Sequence, residues 1–295
     1  MNSRSQGDKL RGPWVKNLRR FAKTPKGQVL AALVILTILG SLTVQGHNGL
    51  QNALIAVITA VVGDAVVARS LGRKVNLSTG GIITGLIIAD VLSSLTPWYL
   101  VVATTLVALT SKHIFKQGRK PIFNPAAFGL LVAAVGFSTG QSWWAWAALP
   151  LMPMWALAIM LGVGGWVAVR VKKYTQVLTF LGVYFSLILA MAIGHTGLAS
   201  ATPADALRAP FVNSTLFVAF FMLTDPPTSP GLVGQQVRFS SISALVAVAL
   251  YATVGGLIYL LAGILVGNAW TAWQARMRRG VRDKERVPLS VNMGG

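Results

Sequence analysis

The chain has 295 residues, is 54% hydrophobic and only 11% charged, and carries a formal net charge of +19. Soluble domains usually hold about 25% charged residues, so a soluble basic nucleic-acid binder is excluded. Apolar sequence in lipid with basic loops on one side reconciles the two figures. The lack of any cysteine excludes disulfides, thiolate catalysis, cysteine-ligated Fe–S clusters and c-type haem attachment.

The arm before residue 28 holds eight Lys or Arg. Within it Trp14, Leu18 and Phe21 recur at helical spacing, with Lys16, Arg19, Arg20 and Lys23 on other faces. This pattern predicts a basic amphipathic helix on anionic lipid at the cytoplasmic face. A spanning helix needs about 20 mainly apolar residues. Segments 28–46, 50–68, 98–112, 125–141, 149–169 and 175–195 are of this kind, while 78–96 and 211–224 are apolar but interrupted or short. The stretch 240–273 is too long for one span, and Gly255–Gly256 divides it into two short ones. The expected fold is therefore an all-α integral membrane protein with about ten transmembrane helices.

The charges test that count. Basic residues cluster in the arm, in the loops at 69–77, 112–123 and 170–173, at Arg238, and in the tail from Arg276. With ten spans, 25 of the 26 Lys and Arg fall on one face, and Arg208 alone falls on the other. The positive-inside rule then places both termini in the cytoplasm of a cell with this chain in its inner (plasma) membrane. The expected division is 1–27 as the basic arm, 28–141 and 142–275 as two five-helix halves, and 276–295 as a basic tail. Three G-x-x-x-G steps, Gly81/Gly85, Gly136/Gly140 and Gly263/Gly267, mark close helix approach. Trp143, Trp144 and Trp146 are expected in an aromatic belt at the outer boundary.

The two interrupted segments resemble each other. Ser78-Thr79 opens an apolar run that ends at Asp90 and reaches Pro97; Ser214-Thr215 opens one that ends at Asp225 and Pro226. They are the third members of the two halves. Because five is odd, the second half enters from the opposite face, giving a 5+5 inverted repeat with two broken or short helices. Such breaks at matching positions point to a binding site at the repeat interface.

Of the seven acids, Asp64, Asp90 and Asp225 lie in or beside apolar spans, where charge is costly and normally faces a partner or cavity. Asp64 is expected to pair with Arg69 at the membrane boundary. Asp90 reads either as the cap of a broken helix or as a functional acid. Asp225 precedes Pro226-Pro227, which cannot continue a helix and leaves free carbonyls at a span end. Asn124 reads as an N-cap with Pro125 at the first helical position, and Asn268 as an interhelical polar contact. His47 and His195 near the outer face are the one pair to weigh for a bis-histidine haem; no spacing for a metal site or a catalytic triad occurs.

Three segments carry a family resemblance: Ile122-Phe123-Asn124-Pro125-Ala126-Ala127-Phe128-Gly129, then Phe220-Phe221-Met222-Leu223-Thr224-Asp225-Pro226, and the ending Gly255-Gly256 with Leu265-Val266-Gly267-Asn268-Ala269. Together they resemble the RnfD/NqrB family, membrane subunits of Rnf complexes and of sodium-pumping NADH:quinone oxidoreductase. The resemblance implies an inverted-repeat fold similar to urea and ammonium channels and a role in electron transport through membrane flavins. Relatives typically esterify FMN to a threonine in S-G-A-T; here that loop reads Phe137-Ser138-Thr139-Gly140-Gln141-Ser142-Trp143 and the motif is absent. The expected cofactor is then a non-covalent flavin, FMN or riboflavin, with Asn213, Thr215, Thr224, Asp225 and Asn124 as candidate cofactor-binding residues. Three readings stay open: a subunit or accessory of a membrane electron-transfer complex, a cofactor-free structural subunit of such a complex, or a small-solute channel or carrier. Whether the chain is itself an enzyme is not legible. Lipid and other complex subunits are the expected partners, with no nucleic acid.

Overall fold

The computed structural model describes residues 20–42, 46–72, 74, 78–118, 120–144, 153–194, 196, 203–208, 211–256 and 258–285. Most of the expected amphipathic arm, and Trp146 and His195, lie outside them. The described residues carry ten α-helices: α1 Pro25–Ser41, α2 Gly46–Ser70, α3 Thr79–Val91, α4 Trp98–Ile114, α5 Pro125–Gly136, α6 Pro153–Arg170, α7 Tyr174–Ile193, α8 Phe211–Phe217, α9 Val233–Thr253 and α10 Ile258–Glu285. A π-helical turn, Val218–Met222, extends α8, and a two-residue hairpin, β1 Lys116–Gln117 with β2 Lys120–Pro121, joins α4 to α5.

Local chemistry sets several boundaries. The side chains of Thr24, Ser78 and Asn124 accept the N–H groups of Gly27, Gly81 and Ala127, capping α1, α3 and α5. Each cap satisfies a donor that the helix start would otherwise leave without a partner. α9 and α10 are separated at Gly255 and Gly256, whose φ values are +73° and +70°. The apolar stretch alone predicts two short helices, but neither is short: both extend into flanking polar sequence, α9 running 21 residues and α10 28.

Polarity is distributed as a bilayer demands. Leu54, Ile58, Val62 and Val66 make an exposed stripe at four-residue spacing along α2, each more than half exposed. Inside lie Thr104, Thr105, Gln176, Ser214, Ser240, Ser243 and Asp90, all buried. Apolar outside and polar within is the reverse of a soluble domain. Among the described residues three helices are long and apolar enough to cross a membrane, Asn48–Ser70, Tyr174–Ile193 and Val233–Thr253; Pro25–Ser41, Thr79–Val91, Pro125–Gly136 and Phe211–Met222 are shorter apolar helices. At 1.5 Å per residue the 13 residues of α3 reach about 20 Å, less than the ~30 Å hydrocarbon core.

The end of α3 is completed by the segment after α5. Ser93 N–H donates to Gly140 O at 2.9 Å, and Ser142 and Trp143 N–H donate to Val91 O. This contact overturns the expected aromatic belt. Trp143 and Trp144 are 1% exposed, drawn inward because their segment turns back onto α3. Trp144 Nε1 donates to Ala89 O, and its ring lies where a side chain on Gly49 would be.

Helix packing follows a regular scheme. In the first half α2 packs on α3 and α4, α4 on α5, and α1 on α3; in the second, α7 packs on α8's π turn and α9, α9 on α10, and α6 on α8. The halves meet where α5 packs on α10 and α1 on α6. Glycines enable the closest approaches. A Cβ on Gly85 would sit 2.9 Å from Ala56 O, and one on Gly263 2.5 Å from Ser243 O. The third expected step differs: Gly136 has open space where its Cβ would be.

Asp64 has a different partner from the one expected. It pairs with Lys112 of α4, because α2 and α4 pack side by side and bring the ammonium across to the carboxylate. Gly81 of α3 leaves room for that carboxylate; a Cβ there would lie 2.5 Å from Asp64 Oδ2.

Candidate functional site

The two broken helices, α3 and α8, run in opposite directions against each other. Gly80, Ile83, Thr84 and Ile87 from the first two-thirds of α3 share a cavity with Phe221, Thr224 and Asp225 at the far end of α8. At the other end Trp143, bonded to Val91 at the close of α3, packs edge-on against Phe217 with ring centroids 5.7 Å apart.

Where α8 breaks, two asparagines tie the halves together. The backbone N–H of Asn124 donates to Asn268 Oδ1 at 2.9 Å, and Asn124 Nδ2 donates to Met222 O at 2.9 Å. Asn268 Nδ2 donates to Thr228 O at 3.2 Å. From α7, Gln176 Nε2 donates to Leu223 O at 2.6 Å. The π turn and the prolines leave carbonyls without helical partners, and these amides satisfy them. We refer to this set as the asparagine clasp.

Asp225 leaves the clasp in a short loop. Thr228 Oγ1 donates to Asp225 Oδ2 at 2.9 Å. Burial lifts the Asp225 carboxyl to about 6, with the Thr228 hydrogen bond and the charges of Lys26 and Lys173 pulling the other way. Lys173, in the turn between α6 and α7, donates to Pro230 O. Its amine falls to about 8, first through burial; Asp225 opposes the fall and Lys120 adds to it. The cavity beside Asp225 is lined also by Lys26, Asn124 and Ala126, and its volume is about 60 Å³.

The candidate cofactor residues divide into two groups. Asn124, Thr224 and Asp225 line that one cavity. Asn213 and Thr215 sit near the start of α8, and Thr215 lies by the hydrogen-bonded Tyr184–Tyr259 hydroxyl pair. Nine residues of helix separate Thr215 from Thr224, about 13 Å at the usual rise. Asp90 is fully buried and accepts from Thr37 Oγ1 at 2.9 Å. Asp90 lies three residues beyond Ile87, the last α3 residue in the Asp225 cavity, and is not among the residues that line it. Lys26, Lys173 and Gln176 were not singled out from sequence for this site; only tertiary packing brings them to it. Among the described residues no cluster of three or more His, Cys, Asp or Glu could hold a metal.

Fold and site define a polytopic all-α membrane protein with a polar clasp at the broken end of α8. The model of the NQR2, RnfD, RnfE family matches residues 11–149 of this chain, which lacks the S-G-A-T sequence. Curated relatives named as the D subunit of an ion-translocating oxidoreductase complex agree. The one from Aeromonas hydrophila is 30% identical over 61% of this chain and 50% of its own length. That from Shewanella denitrificans is 29% identical over 55% and 43%. That from Yersinia pseudotuberculosis is 26% identical over 60% and 49%. The chain thus spans about half the length of the curated relatives it matches.

Proposed function

We propose that this chain is a membrane subunit of an electron-transfer complex, embedded in a bacterial inner membrane as a ten-span, five-plus-five inverted repeat with both termini cytoplasmic. Relatives named for their place in an ion-translocating oxidoreductase complex support the assignment to a complex. The single observation that carries the architecture is the clasp, in which Asn124 of the first half is bonded to Asn268 of the second. The packing scheme supports the repeat: α2–α4 matches α7–α9, α4–α5 matches α9–α10, and α1–α3 matches α6–α8. A further parallel supports it. Asn52 of α2 holds Ser94 and Thr96 carbonyls beyond the end of α3, as Gln176 of α7 holds Leu223 O beyond α8. The 25 basic residues on one face support the orientation.

A flavin does not fit the clasp as built. Pockets for ligands of that size run about 300–1,000 Å³, against about 60 Å³ here. The polar groups that would grip it are already engaged: Asn124 with Met222, Thr224 with Phe220 O, and Asp225 with Thr228. We therefore read the clasp as the seam of a structural subunit and derive no electron-transfer step through it. An absorption spectrum of the gently purified protein tests this reading. It is expected to lack the flavin bands; stoichiometric flavin released on denaturation would overturn it.

A further inference from the structure

A second, larger cleft lies on the other side of the Asp225 loop. It is bounded by the β1–β2 hairpin, residues 227–231 and the stretch of α10 from Asn268 to Ala275, and its volume is about 250 Å³. A water needs only about 10–15 Å³ of such space, so a tetrahedral anion with several waters can be held. Gln117, Lys120, Ser229 and Thr271 line it. No Asp or Glu is among the lining residues.

We propose that this cleft is a binding site for a phosphate-type oxyanion, with Lys120 supplying the charge and Ser229 a hydroxyl donor. Two independent observations point to a ligand. The first is an orphan: Ser229 Oγ is buried with no hydrogen-bond partner among the described residues. Three polar neighbours are engaged. Thr228 donates to Asp225, Thr271 to Gly267 O at 3.0 Å, and Asn268 to Thr228 O. A buried hydroxyl left without a partner is unfavourable, and an anion in the cleft would accept its proton. The second is charge. Lys120 lines the cleft, and Lys173 donates to the carbonyl of the cleft residue Pro230. Lysine is a compact point charge suited to phosphate. The small Asp225 cavity takes no part, and this site does not depend on the proposed role in an electron-transfer complex.

The phosphate could be free in solution or be carried as a monoester by a lipid headgroup. Calorimetric titration of the detergent-solubilised full chain with inorganic phosphate is expected to show saturable binding at one site. Lys120→Gln should weaken it by about tenfold, the scale of one charge-assisted hydrogen bond, and Ser229→Ala by several-fold. Lys116→Gln, an exposed hairpin lysine outside the cleft, should leave it unchanged. A second arm uses nanodiscs. Phosphatidic acid that competes with phosphate in wild type but not in Lys120→Gln identifies a headgroup; phosphate binding unaffected by phosphatidic acid identifies a free anion. Absence of saturable phosphate binding together with no preference for phosphatidic acid over phosphatidylcholine overturns the proposal. So does binding weakened equally by Lys116→Gln and Lys120→Gln.

Discussion

Asn268 Oδ1 accepts the backbone N–H of Asn124 at 2.9 Å, joining residues 144 positions apart. The same two side chains then reach Met222 O and Thr228 O on either side of the broken end of α8. Asn268→Ala leaves a buried N–H and a buried carbonyl without partners, a loss on the order of 2 kcal/mol. Asn268→Asp keeps the acceptor for Asn124 but loses the donor to Thr228 and buries an acid. Thermal unfolding in detergent should rank both variants below wild type.

Two glycines of α3 should respond in opposite ways. Gly80 has open space at its Cβ position, so Gly80→Ala should be neutral or gain up to about 1 kcal/mol from helix propensity. Gly85 faces the backbone of α2 at 2.9 Å, which cannot yield as a side-chain tip can. Gly85→Ala should cost about 1–3 kcal/mol through overpacking. Paired melting curves check the contrast.

The Asp64–Lys112 pair predicts another asymmetry. Lys112→Gln removes the partner of a carboxylate whose side chain is only 9% exposed, and should destabilise by a few kcal/mol. Arg69→Gln alters an exposed residue and should stay within about 0.5 kcal/mol. Equal losses for both variants, measured by thermal unfolding, would argue for Arg69 as the partner instead.

The loop pair Asp225 and Lys173 makes stability pH-dependent in a defined sense. Asp225 is raised to about 6 in the folded chain, so the folded state holds its proton more tightly than the unfolded one. Its contribution to stability is greatest in acid and declines as pH rises from about 4 to 6. Lys173, lowered to about 8, works the other way: the unfolded state binds its proton more tightly, and stability recovers as pH rises from 8 toward 10. Melting temperature against pH should show both slopes. Asp225→Asn should abolish the acidic one and lower the Lys173 value further, because the carboxylate that opposed its fall is gone.

Much of this architecture was legible in the amino-acid order. Asn124 reads as a cap, Pro226-Pro227 as a helix stop, and Gly255-Gly256 as a break, because each acts through its own local backbone. What escaped reading was tertiary. Trp143 and Trp144 resemble belt residues until the 137–143 segment turns back onto α3. Asp64 is five residues from Arg69 but meets Lys112, 48 positions away, through helix packing. Asn213 and Thr215 lie near the start of α8, yet Asp225 follows its far end, beyond the π turn. Lys173 and Ser229 carry no sequence signal; only burial against a neighbouring loop gives them meaning.

Membership of a larger redox assembly is tested by mass-spectrometric identification of the chains that co-purify with this one after mild solubilisation from its native membrane. Other integral membrane subunits, together with cofactor-bearing redox subunits, should be recovered in stoichiometric amounts. Recovery of the 31.3-kDa chain alone, as a stable monomer from membranes whose redox complexes remain intact, would contradict that membership.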